Sequence, residues 1–513
     1  MNWSKHNKIL LALSFIEGGS LMACELLSAK MLAPYFGSSI FVWSAVLGVT
    51  LASLALGYYQ GGSLSMHEKR DKIVLTILIA AGVFLMLLPF TAQFVLGYAH
   101  LFSFRQGVIL SALLIILPPV TCMGMVSPLM VSNLDHSIES AGKRAGIIYT
   151  ISTTGGILFT FLYGFYIIPK FGLIFPSILT GFILALVPAI LIFKHGWKQP
   201  GFIGLIFIFT LTGAFYLNHI HKKELNILYQ EEGILGQVLV AELPVKRNDS
   251  IQTERTLFVN RIIQTSYNPQ NDKFNDFDYF NSVSDVLDSL QTGSRVLILG
   301  LGGGVLARDA DRKGMLVDAV EIDQRIIDVS RNYFNLEEKI NVIRDDARHF
   351  LNTCTKKYDL ILFDLFRGEE TPAHVFTAES IEQTMQILNP GGIVLINANG
   401  YYRGEIGKGT RSLYKTMRAM GLYVELYPTD SLEERSNMIY VASNSIGVFD
   451  EKIPDYMQKN FIPHDSLHVE DAIVLTDRRP ILDHLNQEAT LRWRIAYQAY
   501  NRSLNQSNLP LFN

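Results

Sequence analysis

Residues 296–323 read "VLILGLGGGVLARDADRKGMLVDAVEID". Four consecutive apolar residues, 296–299, run into glycines at 300, 302, 303 and 304, and an acid, Glu321, stands about twenty positions on. A short apolar run closed by glycines predicts a buried strand turning tightly into a helix. Gly300, Gly302, Gly303 and Gly304 permit the turn and let a ligand approach the backbone at the helix start. Glu321 ends the next predicted strand, "VDAVEID", where its carboxylate can accept from both hydroxyls of a ribose. The pairing of glycine cluster and strand-ending acid points to a nucleoside-containing ligand.

The pattern continues outward in both directions. "RVLILG", "VDAVEID", "INVIRDD", "YDLILFDLF" and "GGIVLINANG" are short apolar runs separated by helical stretches such as "QRIIDVSRNYFN" and "TAESIEQTMQILN". Strands alternating with helices predict a doubly wound α/β domain with a mostly parallel sheet, over residues 291–505. Upstream, "GILGQVLVAEL" and "TLFVNRIIQTSY" alternate in the manner of strands. They predict a small antiparallel β unit, which with a connecting helix fills residues 221–290. Two more acids end strands of the α/β part: Asp346 in "RDDARHF", where a carboxylate can take the exocyclic amine of adenine, and Asp364 in "LILFDLF". A single such acid is more simply read as a helix cap; three at successive strand ends, beside the glycines, mark a site.

The first 220 residues differ in kind. The chain has 513 residues, 49% of them hydrophobic and only 18% charged, and the charges are sparse from residue 9 to 217. A hydrocarbon core about 30 Å thick takes roughly 20 apolar helical residues to cross. Seven segments qualify, at about 8–29, 40–60, 73–96, 107–131, 146–168, 173–193 and 202–218, the last being the shortest. One globular core does not need seven such stretches, so residues 1–220 read as a multi-pass helical membrane domain in a lipid bilayer. The opening "MNWSKHNKILLALSFIEGG" has the charged lead and apolar core of a signal peptide, but Glu17 interrupts the core and apolar segments recur after it, which argues against cleavage. Glu17 and Glu25 lie on roughly one face of the first span; they serve either a polar or cation-binding feature or hydrogen bonding between helices. Small residues in "LASLALGYYQGG" and "TISTTGGILFTFLYG" suit close helix packing.

Net charge is −3 with no basic block, which gives no footing for nucleic acid. Cys24, Cys122 and Cys354 show neither metal-ligand nor disulfide spacing. Lys5 and Lys8, then Lys69, Arg70 and Lys72, then Lys143 and Arg144, then Lys194 and Lys198 fall on one side of the spans, against Lys30, Arg105 and Lys170 on the other. The positive-inside rule puts the N-terminus in the cytoplasm, and seven crossings would leave the polar half outside.

Together these stretches resemble the spermidine synthase (polyamine aminopropyltransferase) family in its membrane-fused form. The resemblance rests on "ELLSAKMLAPYFGSSIFVWSAVLGVTLASLALGYYQGG" in the first half. In the second, it rests on "LFVNRIIQTSY", "LGLGGGVLARD", "AVEID", "RDDARHF", "YDLILFD" and "HVFTAES", in the family's order. It implies a class I methyltransferase-like Rossmann domain and transfer of an aminopropyl group from decarboxylated S-adenosylmethionine to putrescine or a related amine, with no metal. By resemblance Asp364 is the general base, helped by Tyr279. Gln264, Gly300, Gly302, Gly304, Glu321, Asp346 and Ala347 hold the nucleoside donor. Soluble members form dimers or tetramers, which implies a homodimer or homotetramer here. The donor is cytosolic, so the resemblance implies a cell-membrane protein, in the bacterial inner or plasma membrane, whose polar half faces the cytoplasm. That conflicts with seven crossings, so either one apolar segment, most readily 202–218, does not cross or the positive-inside count misleads.

Three positions depart from the family. Gly303 stands where the family has the Asp that pairs with the aminopropyl ammonium, Arg367 where it has an acid gripping the acceptor, and Tyr279-Phe280-Asn281 where it has Tyr-His-Glu. An arginine facing the pocket would repel a diamine by Coulomb's law; alternatively it turns to solvent and Glu369 or Glu370 substitutes. Loss of the acid at 303 also keeps open a methyltransferase using intact S-adenosylmethionine. A third reading, a nucleoside-sensing membrane protein or transporter without catalysis, stays open too.

Overall fold

The computed structural model describes residues 5–194 and 226–493, except 38–39, 99–101, 103, 135–139, 234, 248–249, 271–272, 275–277, 367–371, 434–435, 455–456 and 458–460. The chain divides into two compact units.

The N-terminal unit has six described helices long and apolar enough to cross a membrane: Lys5–Phe36 (α1), Ile40–Leu64 (α2), Arg70–Tyr98 (α3), Phe104–Asn133 (α4), Ala141–Phe171 (α5) and Ile174–Lys194 (α6). They cover six of the seven expected spans; the seventh, 202–218, lies outside the described residues. Within α5 the segment Tyr163–Ile167 is π-helical, and the Tyr163 hydroxyl there pairs with Thr180 of α6.

The hydrophobic effect gives lipid-embedded helices little reason to associate, so close packing at small residues has to do it. The two glycine-bearing stretches serve that purpose. A Cβ built on Gly57 would fall 2.5 Å from the Thr121 carbonyl, and one on Gly61 2.5 Å from that of Met125, which joins α2 to α4. Between α1 and α5 the fit is closer. A Cβ on Gly18 would lie 2.1 Å from the Ser152 carbonyl, and one on Gly155 2.1 Å from that of Phe15.

In the C-terminal unit, strands Asn226–Glu231 (β1), Val238–Arg247 (β2), Ser250–Val259 (β3), Ile262–Asn268 (β4) and Lys273–Phe274 (β5) form a sheet in sequential order. The stretch "TLFVNRIIQTSY", which alternates as one strand would, is a hairpin in the fold. Asn260 and Arg261 both take positive φ, 49° and 65°, the signature of a tight two-residue turn between twisted strands. That turn doubles β4 back along β3.

The second sheet has seven strands in the order β11-β12-β10-β9-β6-β7-β8. Arg295–Leu299 (β6), Leu316–Glu321 (β7), Asn341–Arg344 (β8), Tyr358–Phe363 (β9) and Leu388–Asn399 (β10) run parallel. Tyr423–Pro428 (β11) and Asn437–Ser443 (β12) are antiparallel additions at one edge. Because helices cover both faces, the strands are apolar on both. Val296 and Ile298 enter the core on one side, Leu297 and Leu299 the core on the other, none more than 2% exposed. The chain steps from β6 outward to β7 and β8, then returns to β9 on the other flank of β6. The order therefore reverses between β6 and β9, the place where open α/β sheets hold their ligands.

Replacing Gly155 by Leu forces α1 and α5 apart. Overpacking of this kind costs about 1–3 kcal/mol, so the thermal unfolding midpoint of the detergent-solubilised protein should fall. An unchanged midpoint would mean that the two helices do not meet at this residue.

Candidate active site

Backbone hydrogen bonds stitch the strand ends together at the point of reversal. Asp364 donates its N–H to the Leu299 carbonyl at 2.8 Å, Gly300 to Val320 at 2.9 Å, and Asp345 to Glu321 at 3.2 Å. The segments bearing Asp364, the glycine turn, Glu321 and Asp346 thus lie side by side along one edge. The turn takes the backbone that the sequence demanded: Gly300, Gly302 and Gly304 have φ of 95°, 53° and 76°. A Cβ on Gly300 would also sit 2.1 Å from the Asp364 carbonyl. Gly304 then caps the helix Val305–Arg312 (α8).

Each acid is held differently. Asp364, half-buried at the end of β9, receives the Asn397 amide Nδ2 on Oδ1 at 2.9 Å and the Tyr279 hydroxyl on Oδ2 at 3.4 Å. Tyr279 comes from the helix Asp278–Asp288 (α7), so two distant segments meet at one carboxylate. Burial raises the Asp364 pKa above the ordinary value, and the hydrogen bonds from Asn397 and Tyr279 oppose the rise. Tyr279 is itself pushed well above a phenol's usual range, by burial first and then by the neighbouring carboxylate. Glu321 takes Leu301 N–H on Oε2 at 3.2 Å and Asp323 N–H on Oε1 at 2.9 Å, which fixes it beneath the glycine turn. Burial lifts its pKa to about 7. Next to it Ile322 is 42% exposed, an apolar surface at the strand end suited to the flat of an adenine ring.

Asp346 is a helix cap. Its Oδ1 accepts from the backbone of Arg348 at 2.9 Å and His349 at 3.1 Å, opening the helix Ala347–Thr353 (α10). Its Oδ2 faces His374 Nε2 at 3.6 Å. The cap and a ligand contact are compatible, because a carboxylate has two oxygens. Ala347 is the buried first residue of that helix. Gln264, half-buried on β4, turns its Nε2 to the carbonyls of Ile262 and Ile263 at 3.5 Å. Arg367, Glu369 and Glu370 lie outside the described residues, as do their expected parts in acceptor recognition.

Three side chains escaped the sequence reading. Asn397 lies two residues before the end of β10; it is 2% exposed, and its Oδ1 accepts from Asn437 Nδ2 of β12 at 2.8 Å. A relay Asn437–Asn397–Asp364 therefore aims the carboxylate. Its one sequence signal was an asparagine breaking the apolar run in "IVLINANG". The third is Thr265, beside Gln264 on β4. Its Oγ1 accepts the Gly303 N–H at 2.9 Å, and its Cγ2 lies 2.6 Å from where a Gly303 Cβ would be. The missing acid at 303 is thus matched by a threonine filling its space. Gly303→Asp alone should lower the unfolding midpoint, and Thr265→Gly added to it should recover part of the loss. Equal midpoints for Gly303→Asp and the unaltered chain would remove Thr265 as the obstacle.

Residues 282–429 match the spermine/spermidine synthase domain. Polyamine aminopropyltransferase 2 of Aquifex aeolicus is 24% identical over 434 residues, which cover 81% of this chain and 83% of that protein. The polyamine aminopropyltransferase of Vibrio vulnificus is 37% identical over 112 residues, 20% of this chain and 37% of the relative. An N-terminal histidine N-methyltransferase of Emericella nidulans is 29% identical over 188 residues, 33% of this chain and 32% of that one. The matched domain begins within α7 and runs through the glycine turn, Glu321, Asp346, Asp364 and Asn397 to the end of β11. The C-terminal unit is thus similar, over residues 282–429, to the spermine/spermidine synthase domain.

Proposed function

We propose that the C-terminal unit is an aminopropyltransferase acting on a primary amine, with decarboxylated S-adenosylmethionine as donor. The observation that carries this reading is the carboxylate of Asp364 at the point of strand reversal, aimed by Asn397 and touched by Tyr279. Glu321 would accept from the ribose hydroxyls, Ile322 would cover one adenine face, and Oδ2 of Asp346, the oxygen not used in the helix cap, would take the exocyclic amine. Ala347 and the turn at Gly300, Gly302 and Gly304 would let the nucleoside lie close to the backbone, with Gln264 flanking it.

When bound, the sulfonium supplies an electrophilic methylene beside sulfur. The protein's own part is orientation and proton transfer. Asp364 accepts a proton from the attacking nitrogen as the N–C bond forms and the C–S bond breaks; methylthioadenosine departs as a neutral thioether. Tyr279 reaches the oxygen of Asp364 opposite to the one held by Asn397, so it steers the amine to that side. A methyltransferase reading has one observation in its favour, the absence of a carboxylate at 303, which leaves nothing there to repel the carboxylate of intact S-adenosylmethionine.

Incubating the purified full-length protein with putrescine and each sulfonium donor tests both readings. Methylthioadenosine with the decarboxylated donor is expected; S-adenosylhomocysteine from the intact donor, without methylthioadenosine, would reverse the choice. Asp364→Asn should lower turnover about 10²–10⁴-fold, with nucleoside affinity, read by calorimetry, within a few-fold. Full activity would take Asp364 out of the mechanism.

The acid limb of the rate profile follows from the direction of the Asp364 shift. The base works ionised and its pKa is raised, so activity falls on acidification at a pH above an ordinary aspartate's. Asn397 lowers that pKa, so Asn397→Leu should move the limb to higher pH. An unmoved limb with a lower plateau would make Asn397 merely structural.

We place the C-terminal unit on the cytoplasmic side of the cell membrane. Six crossings return Lys194 to the side of Lys5, which is also the side of Arg70, Lys72, Lys143 and Arg144, and this placement takes the segment 202–218 as one that does not cross. A C-terminal reporter active only in the cytoplasm should report activity; one active only outside should stay silent.

A further inference from the structure

The membrane half carries acids that the proposed chemistry does not use. Glu17, near the middle of α1, is 3% exposed and receives one hydrogen bond, from the Ser152 hydroxyl of α5 at 3.2 Å. Glu25 lies on the same side of α1, half-buried. Among the described residues neither carboxylate is paired with Lys, Arg or His. An intramembrane acid is expensive, and an ionised carboxylate offers two oxygens that only accept. If hydrogen bonding to Ser152 were the purpose, a neutral side chain would serve at lower cost. The glycines at 18 and 155 bring α5 close enough for Ser152 to reach Glu17, so the acid is fixed at a tight crossing.

A second observation points the same way. Ser20, one turn beyond Glu17 and fully buried, has a hydroxyl with no hydrogen-bond partner. Ser14 and Ser28 continue the polar line along α1, both nearly inaccessible to solvent. Such a line is compatible with a cation that brings its own donors. Eight residues separate the two acids, which at 1.5 Å per residue is about 12 Å along the helix. The terminal ammonium groups of an extended aliphatic triamine span that distance.

We propose that the α1–α5 face of the membrane half binds an alkylammonium ion, with Glu17 and Glu25 as its counter-charges and the Ser20 and Ser152 hydroxyls beside Glu17. The choice of a polyamine as this ion rests on the aminopropyltransferase reading; the site itself does not.

The test uses full-length protein in lipid nanodiscs and measures equilibrium binding of labelled spermidine. The Glu17→Gln/Glu25→Gln variant should lose one equivalent of bound spermidine while keeping its rate of methylthioadenosine formation. In parallel, a hydrophobic carbodiimide should modify Glu17 in the unaltered protein. Spermidine at ten times its Kd should cut that labelling roughly tenfold by mass action, and sodium at matched ionic strength should not. The protection should persist in Asp364→Asn. Unchanged stoichiometry in the variant, labelling indifferent to spermidine, equal protection by sodium, or protection lost with Asp364→Asn would each overturn the proposal. Should the variant fail to insert, the labelling of the unaltered protein decides. Amine protection at Glu17 without any methylthioadenosine formation would leave this site standing and sink the catalytic reading alone.

Discussion

The Asp364 carbonyl sits 2.1 Å from where any side chain at position 300 would begin. That one close approach governs the C-terminal unit. It needs a glycine at 300, it lets the Asp364 N–H reach Leu299, and it brings the ends of β6 and β9 together at the reversal of the sheet. A side chain at 300 would push the two strand ends apart and carry Asp364 away from the turn. The positive φ of Gly300 adds a second reason for the same residue, since L side chains avoid that region.

Around this junction, three acids that look alike in the sequence are put to three uses. Glu321 is pinned by two backbone amides and lifted by burial toward neutrality. Asp346 gives one oxygen to a helix start and turns the other toward His374. Asp364 is gripped by side chains alone, Asn397 on one oxygen and Tyr279 on the other. What separates the three is the kind of donor each meets, and those donors are supplied by tertiary neighbours.

The two units are built on opposite physical terms. In the C-terminal unit apolar burial on both faces of the seven-stranded sheet drives assembly. In the N-terminal unit large apolar side chains such as Leu51, Phe161 and Phe193 are exposed. The tightest helix approaches there are made at glycines such as Gly18 and Gly155, and Ser152 reaches Glu17 at that crossing.

The sequence by itself determined a great deal. Apolar run length, glycine placement and strand-ending acids are local patterns, and they yielded the six described spans, the doubly wound sheet, the glycine turn and the positions of Glu321, Asp346 and Asp364 at strand ends. It did not reveal that "TLFVNRIIQTSY" folds back on itself, because a turn at Asn260–Arg261 lacks the glycine that usually announces one. Nor did it reveal Asn397, Asn437 or Thr265. Asn437 is 40 residues from Asn397, and Thr265 is 38 from Gly303. Only sheet order and the packing of β4 over the turn bring those pairs within hydrogen-bonding distance. Local pattern fixes which residues end strands; which of them touch is settled by the register between strands, a property of the folded chain as a whole.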